Sequence, residues 1–259
     1  LQIVCVQHEI AWEDKPATHQ RVERLLSGAT IASGSLIILP EMFATGFSLD
    51  LDVIDEGDEK PTEHFLAGLA RKFNATVVGG VVNRAADGRG MNQALAFGPA
   101  GDELTRYTKL HPFSFASESE YFASGDKVVQ FTCGEFTVCP LICYDLRFPE
   151  AFRHGAINGA NLFCVIANWP TPRVSHWTAL LRARAIENQA YVVGVNRCGS
   201  DPKLEYPGCS VVFDPKGSVL AEARGEEQVI IAQLDMAELT RYREKFSALR
   251  DIHPGLLGR

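Results

Sequence analysis

The feature that most narrows what this chain can fold into is its succession of short apolar runs, each bounded by a turn signal or an amphipathic stretch. Runs over 1–7, 36–39, 77–82, 93–97, 103–108, 128–132, 136–142, 162–167, 191–196, 210–214, 218–223 and 229–234 read as strands. Helical periodicity occupies 18–32, 62–73, 175–188 and 236–246, and a further helical pattern follows Pro149. The fold class is therefore α/β. About a dozen strands are too many for one open parallel sheet of modest size, whereas two stacked sheets with helices outside accommodate them. No repeat, linker or low-complexity segment interrupts residues 1–259, so one domain is expected, with 236–259 as a C-terminal helix and tail. The longest irregular pieces are the polar loop 50–60 and the segment 112–125, and loops of this kind often carry a site.

Composition removes several function classes. Hydrophobic residues at 46% and charged residues at 22% suit a packed globular body. Against 32 acidic residues stand 25 basic ones, a net charge of −7, and the basic residues form no cluster. Nucleic acid is thus not an expected partner, because phosphate binding calls for grouped Lys and Arg. No apolar stretch approaches the roughly 18 residues of a membrane span, and the opening Leu1–Gln7 run lacks the basic start of a signal peptide, so a cytoplasmic setting is expected. The 7 cysteines are odd in number and sit mostly in apolar runs, which suits free thiols in a reducing compartment. Cys139 and Cys143 are not followed by two further ligands at zinc spacing, so neither a metal nor another cofactor is expected.

Three residues stand where chemistry is possible. Cys143 closes the apolar run 137–142 ahead of a helical pattern, and a cysteine at a strand-to-helix elbow lies near backbone N–H groups that can receive an oxyanion. Glu41 follows Leu39 and Pro40 and precedes Met42 and Phe43, an apolar setting expected to raise its pKa into the range of a general base. Lys109 ends the run Tyr107-Thr108-Lys109. Taken singly, each also has a plain structural reading: a buried thiol, a solvated cap, a surface lysine. A Cys–His hydrolase, with His111, His154 or His176 as base, remains open at this level.

Read together, Leu39-Pro40-Glu41-Met42-Phe43, Tyr107-Thr108-Lys109-Leu110-His111 and Leu141-Ile142-Cys143-Tyr144-Asp145-Leu146-Arg147-Phe148-Pro149-Glu150 change the balance. In order and separation these motifs resemble the nitrilase superfamily of carbon–nitrogen hydrolases, from the first strand to about residue 235. The resemblance implies an α-β-β-α sandwich of two stacked mixed sheets and a homodimer or higher homo-oligomer. It also implies a metal-free thiol mechanism, with Cys143 as nucleophile, Glu41 as base, Lys109 and the Tyr144 backbone N–H at the oxyanion, and a second glutamate, Glu118 rather than Glu120. Asp145, Arg147, Arg184 and Glu187 are expected to form ion pairs that hold the elbow.

Leu110-His111-Pro112-Phe113 and Asn168-Trp169-Pro170-Thr171-Pro172-Arg173 look most like the ω-amidase branch, which hydrolyses the terminal amide of 2-oxoglutaramate and 2-oxosuccinamate. On that reading the partner is a small-molecule amide, Arg173 holds its distal carboxylate, and Phe43, Phe47, His111 and Trp169 line the pocket. Other superfamily hydrolases acting on N-carbamoyl or aliphatic amide substrates, and a non-catalytic metabolite-binding relative, are the alternatives.

Overall fold

Alternation along the buried strands gives each sheet two apolar faces. On β1 (Gln2–Gln7), Ile3 and Cys5 join one core cluster while Val4 and Val6 join another. That is the pattern of a strand covered on both sides. In the computed structural model, which describes residues 1–253, the strands form two six-stranded mixed sheets. The end of the expected tail, 254–259, lies outside the described residues.

The first sheet has the order β14-β1-β2-β3-β4-β5, built from β2 (Leu36–Ile38), β3 (Thr76–Arg84), β4 (Gly90–Phe97), β5 (Glu103–Thr108) and β14 (Gln228–Gln233). Strands β1, β2 and β3 run parallel, and β4, β5 and β14 extend them by antiparallel pairing. The second sheet repeats this plan. Its parallel centre is β7 (Phe136–Ile142), β8 (Leu162–Ala167) and β9 (Tyr191–Asn196), flanked by β6 (Phe131–Cys133), β12 (Val211–Phe213) and β13 (Val219–Glu222). Ile3, Cys5, Ile38, Val78 and Ala94 from one sheet share a core with Val138, Leu141, Val165 and Val193 from the other.

Helices close the outer faces. Val22 and Leu26 of α1 (Lys15–Ser27), with Leu66 and Leu69 of α3 (Pro61–Phe73), pack over Val4, Ile37 and Val77. On the other side lie α5 (Pro149–Ile157) and α6 (Val174–Asn188), with Phe152 meeting Phe163 at 5.2 Å between ring centroids. Helix α6 sits so close to the sheet that a Cβ on Gly194 would lie 2.4 Å from Leu181. Helix α7 (Met236–Lys245) follows the last strand, its first turn capped by the Asp235 carboxylate, which accepts from the Glu238 N–H.

Some expected boundaries move. The first helix begins at Lys15, capped by Asp14, and stops at Ser27 where the Gly28 N–H turns back to Leu25. Residues 29–32 continue the apolar pattern but are drawn out of the helix, with the Ala32 N–H bonded to the Gln2 side chain at 2.8 Å. The expected strand 128–132 shortens to Phe131–Cys133. The irregular segments contain short helices α2 (Leu51–Ile54) and α4 (Glu118–Tyr121). A hairpin of β10 (Cys198–Ser200) and β11 (Glu205–Pro207) has no counterpart in the sequence reading.

Strands β2, β7 and β8 end at the same edge of the sandwich, and β5, antiparallel to β4 as β3 is, ends there too. Carboxyl ends of parallel strands are where α/β folds place ligands. At this edge β3 runs unusually close to the chain leaving β2: a Cβ on Gly80 would lie 2.4 Å from the Met42 nitrogen and 2.7 Å from the Glu41 Cα. Gly80→Ala is therefore expected to cost about 1–3 kcal/mol, because backbone rather than a flexible side chain must give way. A denaturant midpoint equal to that of the wild type would show that the two segments separate freely.

Candidate active site

The chain leaves β2 through Pro40 and turns sharply at Met42, whose φ is +41°. This turn points the Glu41 side chain inward, fully buried, and sends Phe43 to the opposite side. Glu41 Oε1 accepts from Lys109 Nζ at 2.9 Å and Asn92 Nδ2 at 2.8 Å, and Oε2 accepts from the Asn168 N–H at 2.8 Å. Burial alone would raise its pKa, as the sequence suggested. The Lys109 ammonium, the Asn168 N–H and the Asn92 amide outweigh burial and hold it below the ordinary 4.5. The expectation of a raised pKa is thus corrected: Glu41 is a held carboxylate.

Lys109, one residue beyond β5, is 1% exposed. It donates to Glu41 and to both oxygens of Glu118, at 3.1 and 2.8 Å. Burial works against its charge, but Glu118, Glu41 and Cys143 more than compensate and raise its pKa above the usual lysine value. Glu118, in the first turn of α4, is fully buried and also accepts from Asn92 Nδ2 at 2.8 Å, whereas Glu120 is exposed. An ammonium between two carboxylates, all out of water, requires this closed set of partners.

Cys143 follows β7 with φ +42°, in the left-handed region that few non-glycine residues occupy. The elbow is not a direct strand-to-helix junction, since a 3₁₀ turn, Cys143–Arg147, intervenes before α5. Asp145 fastens that turn. It accepts from the Ile142 N–H at 3.0 Å, the Tyr107 hydroxyl at 2.7 Å, and the His111 N–H and Nδ1 at 3.0 and 2.8 Å. The expected ion-pair set is accordingly divided. Among the described residues Asp145 binds no arginine; Arg184 pairs with Glu187 at 2.9 Å and donates to the Leu146 carbonyl, and Arg147 stacks on Trp169 at 4.8 Å. Burial, then the Glu41 and Glu118 carboxylates, push the Cys143 thiol well above its ordinary value against the opposing pull of Lys109.

These groups sit beside a cleft lined by Cys143, Lys109 and Tyr144, with Phe47, Trp169 and Arg173 among its walls. Two expected wall residues lie elsewhere. Phe43 is in the outer core beside His8 and Phe65, and His111 stacks on Phe148 at 3.7 Å while bound to Asp145. Among the described residues no histidine is hydrogen-bonded to Cys143, whose thiol faces the Asn168 carbonyl at 3.9 Å. Sequence reasoning missed Asn92, Leu204 and Tyr206. Asn92 joins both glutamates, and the other two line the cleft from the unforeseen hairpin. An asparagine within an apolar strand was the available signal for the first.

The carbon–nitrogen hydrolase family model matches residues 2–244, and the chain belongs to that family. It is 38% identical to an ω-amidase, YafV, of Escherichia coli over 97% of this chain and 96% of the relative. With a 2-oxoglutaramate amidase of Bacillus subtilis it shares 33% identity over 98% of each chain. A crystal structure of XC1258 from Xanthomonas campestris, a superfamily protein with an arsenic adduct in its active site, superposes with a TM-score of 0.90 at 34% identity, covering 98% of this chain and 97% of that one.

Because Glu41 is held below 4.5, it stays ionised as pH falls through the range where an unpaired buried carboxylate would already be protonated. The acid limb of kcat/KM for amide hydrolysis should therefore lie below pH 4.5, with a flat profile across neutral pH. An acid limb centred near neutrality, in enzyme still folded by circular dichroism, would contradict the assignment.

Proposed function

We propose that this protein is an ω-amidase, hydrolysing the terminal carboxamide of a small ω-amido acid such as 2-oxoglutaramate through a Cys143 thioester. The observation that carries the substrate class is the charge at the cleft. Arg173 lies over Phe113 and Phe115 at 5.5 and 5.9 Å, and among the described residues no carboxylate pairs with it. Arg147 lines the same cleft. An arginine so placed is free to hold a distal carboxylate by two charge-assisted hydrogen bonds. The names of the relatives from Escherichia coli and Bacillus subtilis support the same reading.

The chemistry follows from the resting protonation states. As the Cys143 sulfur attacks the amide carbon, its proton passes to Glu41. Negative charge gathers on the former carbonyl oxygen, where the Lys109 ammonium and the Tyr144 N–H stabilise it. Glu41 returns the proton to the departing nitrogen, the C–N bond breaks, and ammonia leaves an acyl thioester. Water then gives a proton to Glu41 as it attacks that thioester. Collapse expels the thiolate, which recovers the proton as the carboxylic acid departs. Glu118 holds Lys109 in place throughout. The reading includes a homodimer or higher oligomer, on the family resemblance, and a cytoplasmic setting, for which free cysteines are the supporting observation.

The test compares 2-oxoglutaramate with an uncharged amide of equal length. Wild type should prefer the former, and Arg173→Ala should raise its KM about 10–100-fold, as expected for a charge-assisted pair, while hardly changing the neutral substrate. A wild type without preference for the carboxylate would end the ω-amidase assignment. Equal losses on both substrates would make Arg173 a support of its loop.

A further inference from the structure

The most unusual buried group outside the catalytic cluster is Arg197. It follows β9 and is fully buried, yet no carboxylate lies within ion-pair distance among the described residues. Burying a guanidinium without a counter-ion is costly, so its other contacts must hold it. They lead to one place. Nε donates to the Cys198 carbonyl at 3.2 Å, Nη2 donates to the Ser200 carbonyl at 2.7 Å, and the guanidinium lies 4.4 Å from the ring centroid of Tyr206. Nη1 has no hydrogen-bond partner among the described residues. All three contacts are to the β10–β11 hairpin.

Tyr206 lines the catalytic cleft and is only 4% exposed. Its ring is fixed twice, by Arg197 on its face and by its hydroxyl, which donates to Asp201 Oδ2 at 2.6 Å. Asp201 Oδ1 in turn accepts the Lys203 and Leu204 N–H groups, both at 2.7 Å, which sets the hairpin turn and the neighbouring wall residue Leu204. The hairpin is also tied to the loop that carries Arg173, since the Thr171 hydroxyl donates to the Glu205 carbonyl at 2.9 Å. Asn196, next to Arg197, bonds the Trp169 backbone at N–H and carbonyl and donates to the Gly208 carbonyl. Two adjacent residues thereby lock both walls of the cleft.

We propose that Arg197 is a positioning residue which, through Tyr206, fixes the hairpin wall of the cleft and so limits the size of the acyl chain that reaches Cys143. The inference rests on the amide-hydrolysing reading but not on the choice of a carboxylate-bearing substrate. A cation over the ring and two carbonyl bonds leave Tyr206 one placement. Without them only the Asp201 hydrogen bond holds the ring, its placement loosens, and a longer chain enters.

The test uses two uncharged linear amides, butanamide and hexanamide, with active sites counted by the acyl burst so that only competent enzyme is compared. Arg197→Met keeps the volume and removes charge and donors. It should raise the ratio of kcat/KM for hexanamide over butanamide at least about tenfold, the scale at which a pocket discriminates single methylene groups. Tyr206→Leu, which shortens the wall directly, should shift the ratio in the same direction, and Arg197→Gln, which also removes the cation from the ring, takes the place of Arg197→Met if that variant does not fold. Arg197→Lys, which retains a cation over the ring, should keep the ratio within about threefold of wild type. An unchanged ratio in the folded variants, or parallel losses on both amides, would overturn the proposal and leave Arg197 a fold residue. A missing carboxylate preference would appear in the wild type, whereas failure of this inference appears only in the variants.

Discussion

Everything at the candidate active site depends on one ammonium placed between two carboxylates out of water. Lys109 reaches Glu41 at 2.9 Å and Glu118 at 2.8 Å, with all three side chains almost wholly buried. Any one of them alone in that position would cost several kcal/mol and would shed or take up a proton. Together they are mutually stabilised, and Asn92, which donates to both glutamates, closes the arrangement. The two-sheet architecture makes this possible, because β2, β5 and β7 deliver Glu41, Lys109 and Cys143 to one edge from segments far apart in sequence.

The cluster also determines where the proton rests before substrate arrives. Its net negative charge, added to burial, disfavours a thiolate, while its lysine and amide donors favour a carboxylate. A proton on sulfur beside an ionised carboxylate is a waiting state. In the proposed mechanism, transfer becomes favourable once negative charge begins to move from sulfur to the substrate oxygen, where Lys109 can meet it. A resting thiolate would be open to oxidation and alkylation in the absence of substrate, and this arrangement avoids one.

Much of the fold was legible because strands buried on both faces write continuous apolar runs, and the three residues proposed as the catalytic set, which the fold brings together, were legible because each stands at the end of such a run within a distinctive motif. What was not legible depends on contacts distant in sequence. The direction of the Glu41 shift is set by partners 51, 68 and 127 positions away, which no local pattern reveals. Phe43 was misplaced because a single left-handed residue, Met42, reverses the direction in which it points. The β10–β11 hairpin escaped notice because its short strands are secured by Arg197, Tyr206 and Asp201 rather than by alternating burial. His111, two residues from Lys109, was drawn from the cleft by Asp145, a partner 34 positions away.

The protonation of Cys143 at rest is the claim on which this account turns, and the ultraviolet absorbance of a thiolate reads it directly. The difference in that absorbance between wild type and Cys143→Ala, followed as pH is raised from acid to alkaline, should show no thiolate at neutral pH and should develop only well above the ordinary cysteine range. A thiolate band present at neutral pH in the wild type and absent from Cys143→Ala would mean that the nucleophile is already ionised, and that Glu41 is not the group that activates it.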